Sequence, residues 1–100
     1  MNIKIHSIHF DADSKLLDFI DERINRLENF YDRIIGAEVY LKLEAGKHAV
    51  QDKVAEIKIS MPGKVLFCEE RSKQFEEAVD SASENMLRQI KRHKEKERHE

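Results

Sequence analysis

The chain has 100 residues, 40% apolar and 38% charged, with three glycines and one proline. We therefore expect one domain over residues 1–100 and exclude low-complexity and collagen-like chains. The net charge of −2 is uneven, because six basic and three acidic side chains lie in residues 88–100. No apolar run approaches the roughly 20 residues of a membrane span, and neither a signal peptide nor a pair of cysteines is present, so a cytoplasmic protein is expected.

The first part of the sequence predicts a strand, a helix and a second strand. Residues Asn2–Ile8 alternate between apolar and polar, which is typical of a half-buried strand. Asp13 is a suitable N-cap for a helix from Ser14 to about Tyr31, whose apolar residues recur at intervals of three and four. That stripe comprises Leu16, Leu17, Ile20, Ile24, Leu27 and Tyr31. Gly36 ends this region, and Val39, Leu41 and Leu43 alternate with polar residues in a second strand.

Two more strands are predicted after a surface loop over Glu44–Asp52. Alternating apolar residues from Ala55 to Met61 indicate the third strand. Pro62-Gly63 is a tight-turn sequence, and Val65 to about Glu70 follows as the fourth strand. The four residues from Val65 to Cys68 are all apolar, so the sequence leaves the buried face of this strand open.

A long helix is predicted to close the chain, with Ser72 as its cap. Its apolar stripe comprises Phe75, Ala78, Val79, Ala82, Met86 and Ile90. Residues 94–100 are wholly polar, and fraying is expected there. The predicted fold is therefore a two-layer α+β arrangement of order β-α-β-β-β-α, with both helices on one face of a four-stranded sheet.

The residues give no indication of catalysis or metal binding. There is no glycine-rich phosphate loop, no nucleophile motif and no C-x-x-C pair. Cys68 is expected to be a small buried apolar residue. His6 and His9 are three apart, which in a strand places them on opposite faces. We therefore expect no enzyme activity, no cofactor, no metal and no small-molecule substrate.

The two helices carry cations in a distinctive arrangement. At 100° per residue, Arg88 lies opposite the apolar stripe of the second helix, and Lys91 and Arg92 flank it at i+3 and i+4. On the first helix, Arg23 and Arg26 lie on one side of the stripe and carboxylates on the other. The residues alone favour an ordinary solvated face over a phosphate-binding surface.

Three segments resemble one known family, in matching order. They are Leu27–Ile34 (LENFYDRI), Phe75–Asp80 (FEEAVD) and Arg88–Lys96 (RQIKRHKEK). These segments are similar to motifs of ribosome hibernation-promoting factors and ribosome-associated translation inhibitors, some of which are labelled sigma-54 modulation proteins. Because the chain ends after the second helix, it resembles the short form of that family.

The resemblance implies a stress-response regulator that binds the small ribosomal subunit in the mRNA and tRNA decoding channel and keeps ribosomes inactive. It assigns contacts with ribosomal RNA to Arg23, Arg26, Arg88, Lys91, Arg92 and Lys94. A separate ribosome-dimerising factor is left open as a partner. The alternative is a protein-interaction module, such as a transcription-factor modulator, whose exposed sheet face carries Lys4, His6, Tyr40, Lys42 and Lys58.

Overall fold

The order of elements is the predicted α+β sequence of strands and helices. The computed structural model describes residues 1–45 and 51–98. Its elements are β1 (Asn2–Ser7), α1 (Ser14–Asn25), a 3₁₀ helix (Arg26–Asn29), β2 (Gly36–Ala45), β3 (Gln51–Met61), β4 (Lys64–Ser72) and α2 (Phe75–Arg98).

The four strands form one mixed sheet in the order β1-β2-β3-β4. Strands β2, β3 and β4 are antiparallel neighbours, as predicted. Strand β1 pairs with β2 in parallel, because α1 carries the chain back before β2 begins. Gly36 allows this pairing, since a Cβ atom there would lie 3.0 Å from the carbonyl oxygen of Asn2.

The core lies between the sheet and the two helices. Ile20 and Ile24 of α1 and Met86 and Ile90 of α2 are fully buried, and they pack with core-facing strand residues such as Ile57. Burial of one such side chain stabilises a fold by roughly 1.5–3 kcal/mol. Both predicted stripes are thus confirmed except at Leu17, which is only partly buried and lies outside the core, and they fix which helix residues face outward.

Several boundaries differ from the sequence prediction. The first helix is α-helical only to Asn25 and continues as the 3₁₀ helix. The predicted loop over Glu44–Asp52 is shorter, because β2 extends to Ala45 and β3 starts at Gln51. Arg71 supports this extension, with Nη2 lying 2.7 Å from Glu44 Oε2 and Nη1 3.6 Å from Asp52 Oδ2. Residues 46–50 of that loop lie outside the described residues.

The helix ends show one prediction confirmed and two corrected. Asp13 caps α1, accepting a hydrogen bond from Leu16 N–H at 2.9 Å. Ser72 is not a cap but the last residue of β4, and its hydroxyl donates to Glu77 Oε2 at 2.6 Å. Residues 94–98, where fraying was expected, continue α2, and Glu97 contacts residues outside the helix (below).

The turn and the facing of β4 are also settled. Met61 pairs with Lys64, so Pro62-Gly63 is the two-residue turn that was predicted, and Gly63 has a φ of 72°. The pairing turns Leu66 and Cys68 into the core and leaves Val65 and Phe67 exposed.

Candidate nucleic-acid interface

Arg88, Lys91 and Arg92 form an exposed cationic surface on α2, called here the ridge. All three side chains are outward-facing, while Met86 and Ile90 on the other side of the helix point into the core. Residues three and four apart are neighbours on a helix, so the three charges are adjacent. Among the described residues, none of them forms an ion pair. Glu84 lies one helical turn before Arg88 and Glu95 one turn after Lys91, and neither forms an ion pair with the ridge.

The ridge continues toward the first helix through an aromatic contact. The Lys91 ammonium lies 5.3 Å from the centroid of the Phe30 ring, and Phe30 is 38% exposed. An ammonium group over an aromatic face is attracted by the ring quadrupole. Lys94 is half-buried and lines a shallow depression with Lys91, Glu95 and Arg98. Cations and one aromatic ring therefore share a continuous surface.

Arg23 near the end of α1 and Arg26 at the start of the 3₁₀ helix are in a different state, because each already contacts a carboxylate. Arg23 Nε lies 2.6 Å from Asp80 Oδ1 on α2, and its guanidinium carbon is 4.6 Å from the centroid of the Phe19 ring. Arg26 Nη2 lies 2.5 Å from Glu22 Oε1, one turn earlier. Both arginines line an open groove of about 350 Å³ between the helices. Two of the six predicted RNA-binding cations are thus neutralised locally.

Glu97 fastens the end of α2 to the segment that follows the 3₁₀ helix. The Tyr31 hydroxyl donates to Glu97 Oε1 at 2.8 Å, and His93 Nε2 and Arg33 Nη1 lie 3.1 and 3.7 Å from the same oxygen. The Tyr31 hydrogen bond is the main reason that the pKa of Glu97 falls below its ordinary value. Burial, followed by that hydrogen bond, raises the pKa of Tyr31.

Three of the five residues proposed for the outward sheet face contact carboxylates of the same chain. Lys42 Nζ lies 2.7 Å from Glu56 Oε2, and Glu38 accepts from the Tyr40 hydroxyl at 2.8 Å. His6 stacks on Tyr40 with centroids 4.7 Å apart, and its Nε2 lies 3.3 Å from Glu38 Oε2. Lys4 and Lys58 form no ion pair with any described residue. Of the five residues in the sheet-face hypothesis, Lys4 and Lys58 are therefore the two whose charges have no ion-pair partner among the described residues.

The remaining candidates for chemistry are placed as follows. The Cys68 thiol is buried and donates to the carbonyl oxygen of Ala82 at 3.3 Å. Burial raises its pKa to about 11, so the thiol is protonated at neutral pH and is a poor nucleophile.

Within residues 1–45 and 51–98, no three His, Cys, Asp or Glu side chains group as metal ligands. Neither helix in that part of the chain is long and apolar enough to cross a membrane.

Comparison with known proteins gives a consistent set of similarities. The family model described as sigma 54 modulation protein / S30EA ribosomal protein matches residues 3–98. A ribosome hibernation promoting factor of Pseudomonas putida is 29% identical over 97 residues, covering 97% of this chain and 90% of that protein.

Two solved structures have the same fold. The Protein Y N-terminal domain of Thermus thermophilus has a TM-score of 0.80 and 29% identity, over 93% of this chain and 99% of that domain. A ribosomal subunit interface protein of Coxiella burnetii has a TM-score of 0.84 over 94% of this chain and 98% of that one. Its identity of 16% makes it a comparison of fold alone.

Proposed function

The chain belongs to the sigma 54 modulation protein / S30EA ribosomal protein family, and on that premise we propose that it is a ribosome hibernation factor. It binds the small ribosomal subunit in the channel for mRNA and tRNA and holds ribosomes inactive during starvation. Similarity to the Pseudomonas putida hibernation promoting factor supports the role in hibernation. The ridge supports the more specific part of the proposal, which is contact with ribosomal RNA.

The observation that carries the proposal is a set of adjacent outward-facing cations with no ion-pair partner among the described residues. Arg88, Lys91 and Arg92 are held in place by the buried stripe on the other side of α2. The guanidinium groups of Arg88 and Arg92 can each bind a phosphate in a two-pronged contact, while Lys91 acts as a point charge. Such contacts fix position and carry little sequence information. Specificity would therefore come from the match between the shape of the protein and that of the folded RNA.

The mechanism is steric exclusion and involves no catalysis. A folded domain seated in the channel prevents mRNA and tRNA from entering, and it needs only affinity and a fixed shape. The residues proposed to contact RNA are the three of the ridge and Lys94, with Arg23 and Arg26 at the edge of the inter-helix groove. The proposed location is the cytoplasm, because that is where ribosomes are found. A separate ribosome-dimerising factor could act with this protein without changing the mechanism.

The experiment is a competition for vacant small subunits, with mRNA and initiator tRNA as rivals. A variant with Arg88→Glu, Lys91→Glu and Arg92→Glu should lose co-sedimentation and inhibition of translation together. Its circular dichroism spectrum should be unchanged, because exposed substitutions usually alter stability by no more than about 0.5 kcal/mol each.

The matched control reverses three charges on the acidic side of α1, with Asp18→Lys, Asp21→Lys and Glu22→Lys. This control should bind at least as well as the unmodified protein. Undiminished competition by the ridge variant would refute the proposed RNA contact. It would favour the alternative in which the sheet face docks another protein.

A further inference from the structure

The outward face of the sheet has two halves with different chemistry. Cross-strand pairing defines its rows: Lys4, Glu38, Lys58 and Phe67 lie in one row, and Asn2, Gly36, Ser60 and Val65 in the next. We call these two rows, which end at the Pro62-Gly63 turn, the open half. The rest is the paired half, where Arg71 and Lys73 bind Glu44 and Asp52 and where Lys42 binds Glu56.

The open half combines exposed apolar side chains with cations. Phe67 is 52% exposed and Val65 53% exposed. Lys58 lies directly opposite Phe67, and Lys4 lies at the other end of the same row. Neither of these lysines forms an ion pair with a described residue.

The one carboxylate of these rows, Glu38, lies between Lys4 and Lys58 without forming an ion pair with either of them. Glu38 accepts from Tyr40 in the neighbouring row, and this hydrogen bond is the main reason that its pKa is lowered. Gly36 and Ser60 add little side-chain bulk, and with Lys4 and Ile35 they border a depression of about 170 Å³. The open half therefore carries a small net positive charge and one exposed aromatic ring.

The size of the open half indicates what can bind there. Four strands about 4.8 Å apart and two rows about 6.7 Å apart cover roughly 250 Å². A stable protein interface covers about 800 Å² on each partner, so this surface is too small for one. A few unstacked bases would fit, and an aromatic ring beside a lysine has the chemistry that binds single-stranded nucleic acid.

We propose that the open half binds single-stranded RNA, with a base stacked on Phe67 and a phosphate near Lys58. This site lies on the opposite layer from the ridge, because the helices cover the other face of the sheet. The two surfaces can therefore contact RNA independently. The proposal gives the protein a second RNA contact and does not depend on the ribosomal role of the ridge.

The test uses a fluorescent oligouridylate of about ten nucleotides, the scale of a single-strand binding site, and measures its anisotropy with the full chain. Phe67→Leu keeps an apolar side chain but removes the stacking surface, and it should weaken binding at least about fivefold. Lys58→Gln should lower the salt slope of binding by about 0.7. A blunt RNA duplex of equal length should compete poorly, because its bases are not free to stack.

Two controls separate this site from the rest of the molecule. Phe19→Leu on α1 and Lys73→Gln in the paired half should leave oligouridylate binding unchanged. With 4-thiouridine in the probe, the cross-link should map to the tryptic peptide Val65–Arg71, including in the ridge variant described above.

Three results would overturn the proposal. The first is unchanged affinity in Phe67→Leu when its thermal melt shows that it is folded. The second is a cross-link confined to α2. The third is that the RNA probe does not bind, whereas an acidic, leucine-rich peptide binds this face and loses affinity in Phe67→Leu. That result would assign the open half to a protein segment.

Discussion

The cations of α1 with its 3₁₀ extension and the cations of α2 lie in one helical layer, yet they differ in their availability to a ligand. Arg23 and Arg26 each contact a carboxylate of the same chain, whereas Arg88, Lys91 and Arg92 form no ion pair among the described residues. The number of basic residues on a helix is therefore a poor measure of its capacity to bind phosphate. The carboxylates within reach decide how many of those charges are free.

The difference between the helices is one of degree, because exposed ion pairs are weak. Such pairs are typically worth about 0.2–1 kcal/mol, and Arg26 and Glu22 are both largely exposed. Phosphate can compete for Arg26 at a small cost. Arg23 is more enclosed, since Asp80 and the Phe19 ring hold it together. We therefore expect Arg23 and Arg26 to contribute to RNA binding weakly, and the ridge on α2 to contribute most of the electrostatic attraction.

The largest expected effect tests whether both helices are fixed to one core. Ile24→Asp and Met86→Asp would each bury an unpaired carboxylate at a fully buried position. Each should lower stability by several kcal/mol, out of the roughly 5–15 available to a domain. Thermal melts should show near-complete loss of the folded state. If either variant melted within a degree or two of the unmodified protein, that helix would not be packed as described.

A smaller effect concerns the fastening of α2 by Glu97. The pKa of this carboxyl is lowered in the folded protein, so its contribution to stability is present above its ordinary pKa and lost as the pH falls through the lowered value. Glu97→Gln should therefore melt below the unmodified protein at pH 7. The difference should shrink under acidic conditions, below the ordinary value of 4.5. If the difference in melting temperature between the two proteins stayed constant at pH values below 4.5, the ion-pair account would be contradicted.

The smallest effect tests the neutralised cations directly. Glu22→Gln and Asp80→Asn remove the partners of Arg26 and Arg23, and both should strengthen binding to vacant small subunits by a few-fold. Glu84→Gln is the matched control, because it removes the same charge next to the ridge without breaking an ion pair. An equal gain in all three variants would show that only net charge matters, and that local pairing does not.

The periodic features of this sequence were sufficient to predict the layers of the fold. The stripes through Ile24 and Met86 fixed which sides of the helices face the sheet, and the ridge follows from the second stripe by geometry alone. The facing of β4 was ambiguous from composition. The two-residue turn resolves it, because that turn places Leu66 opposite Ile59 and so in the core.

Other features depend on contacts that local patterns do not reveal. The pair between Arg26 and Glu22 follows a spacing of four residues and is visible in the sequence. The pair between Arg23 and Asp80 joins residues 57 positions apart, and only the packing of the two helices brings them together. The 3₁₀ helix is not predicted from the sequence, because Leu27 follows Ile24 by three residues, a spacing that fits both an α-helix and a 3₁₀ helix.

The most direct test of the central claim compares the salt dependence of binding to vacant small subunits in two neutralised variants. Arg88→Gln, Lys91→Gln and Arg92→Gln together should lower the salt slope by between about two and three, at roughly 0.9 for each phosphate left without its cation. Arg23→Gln and Arg26→Gln together should lower it by less than about one, because both arginines are partly neutralised in the free protein. Equal reductions per residue, or a larger reduction from the α1 variant, would contradict the assignment of RNA binding to the ridge.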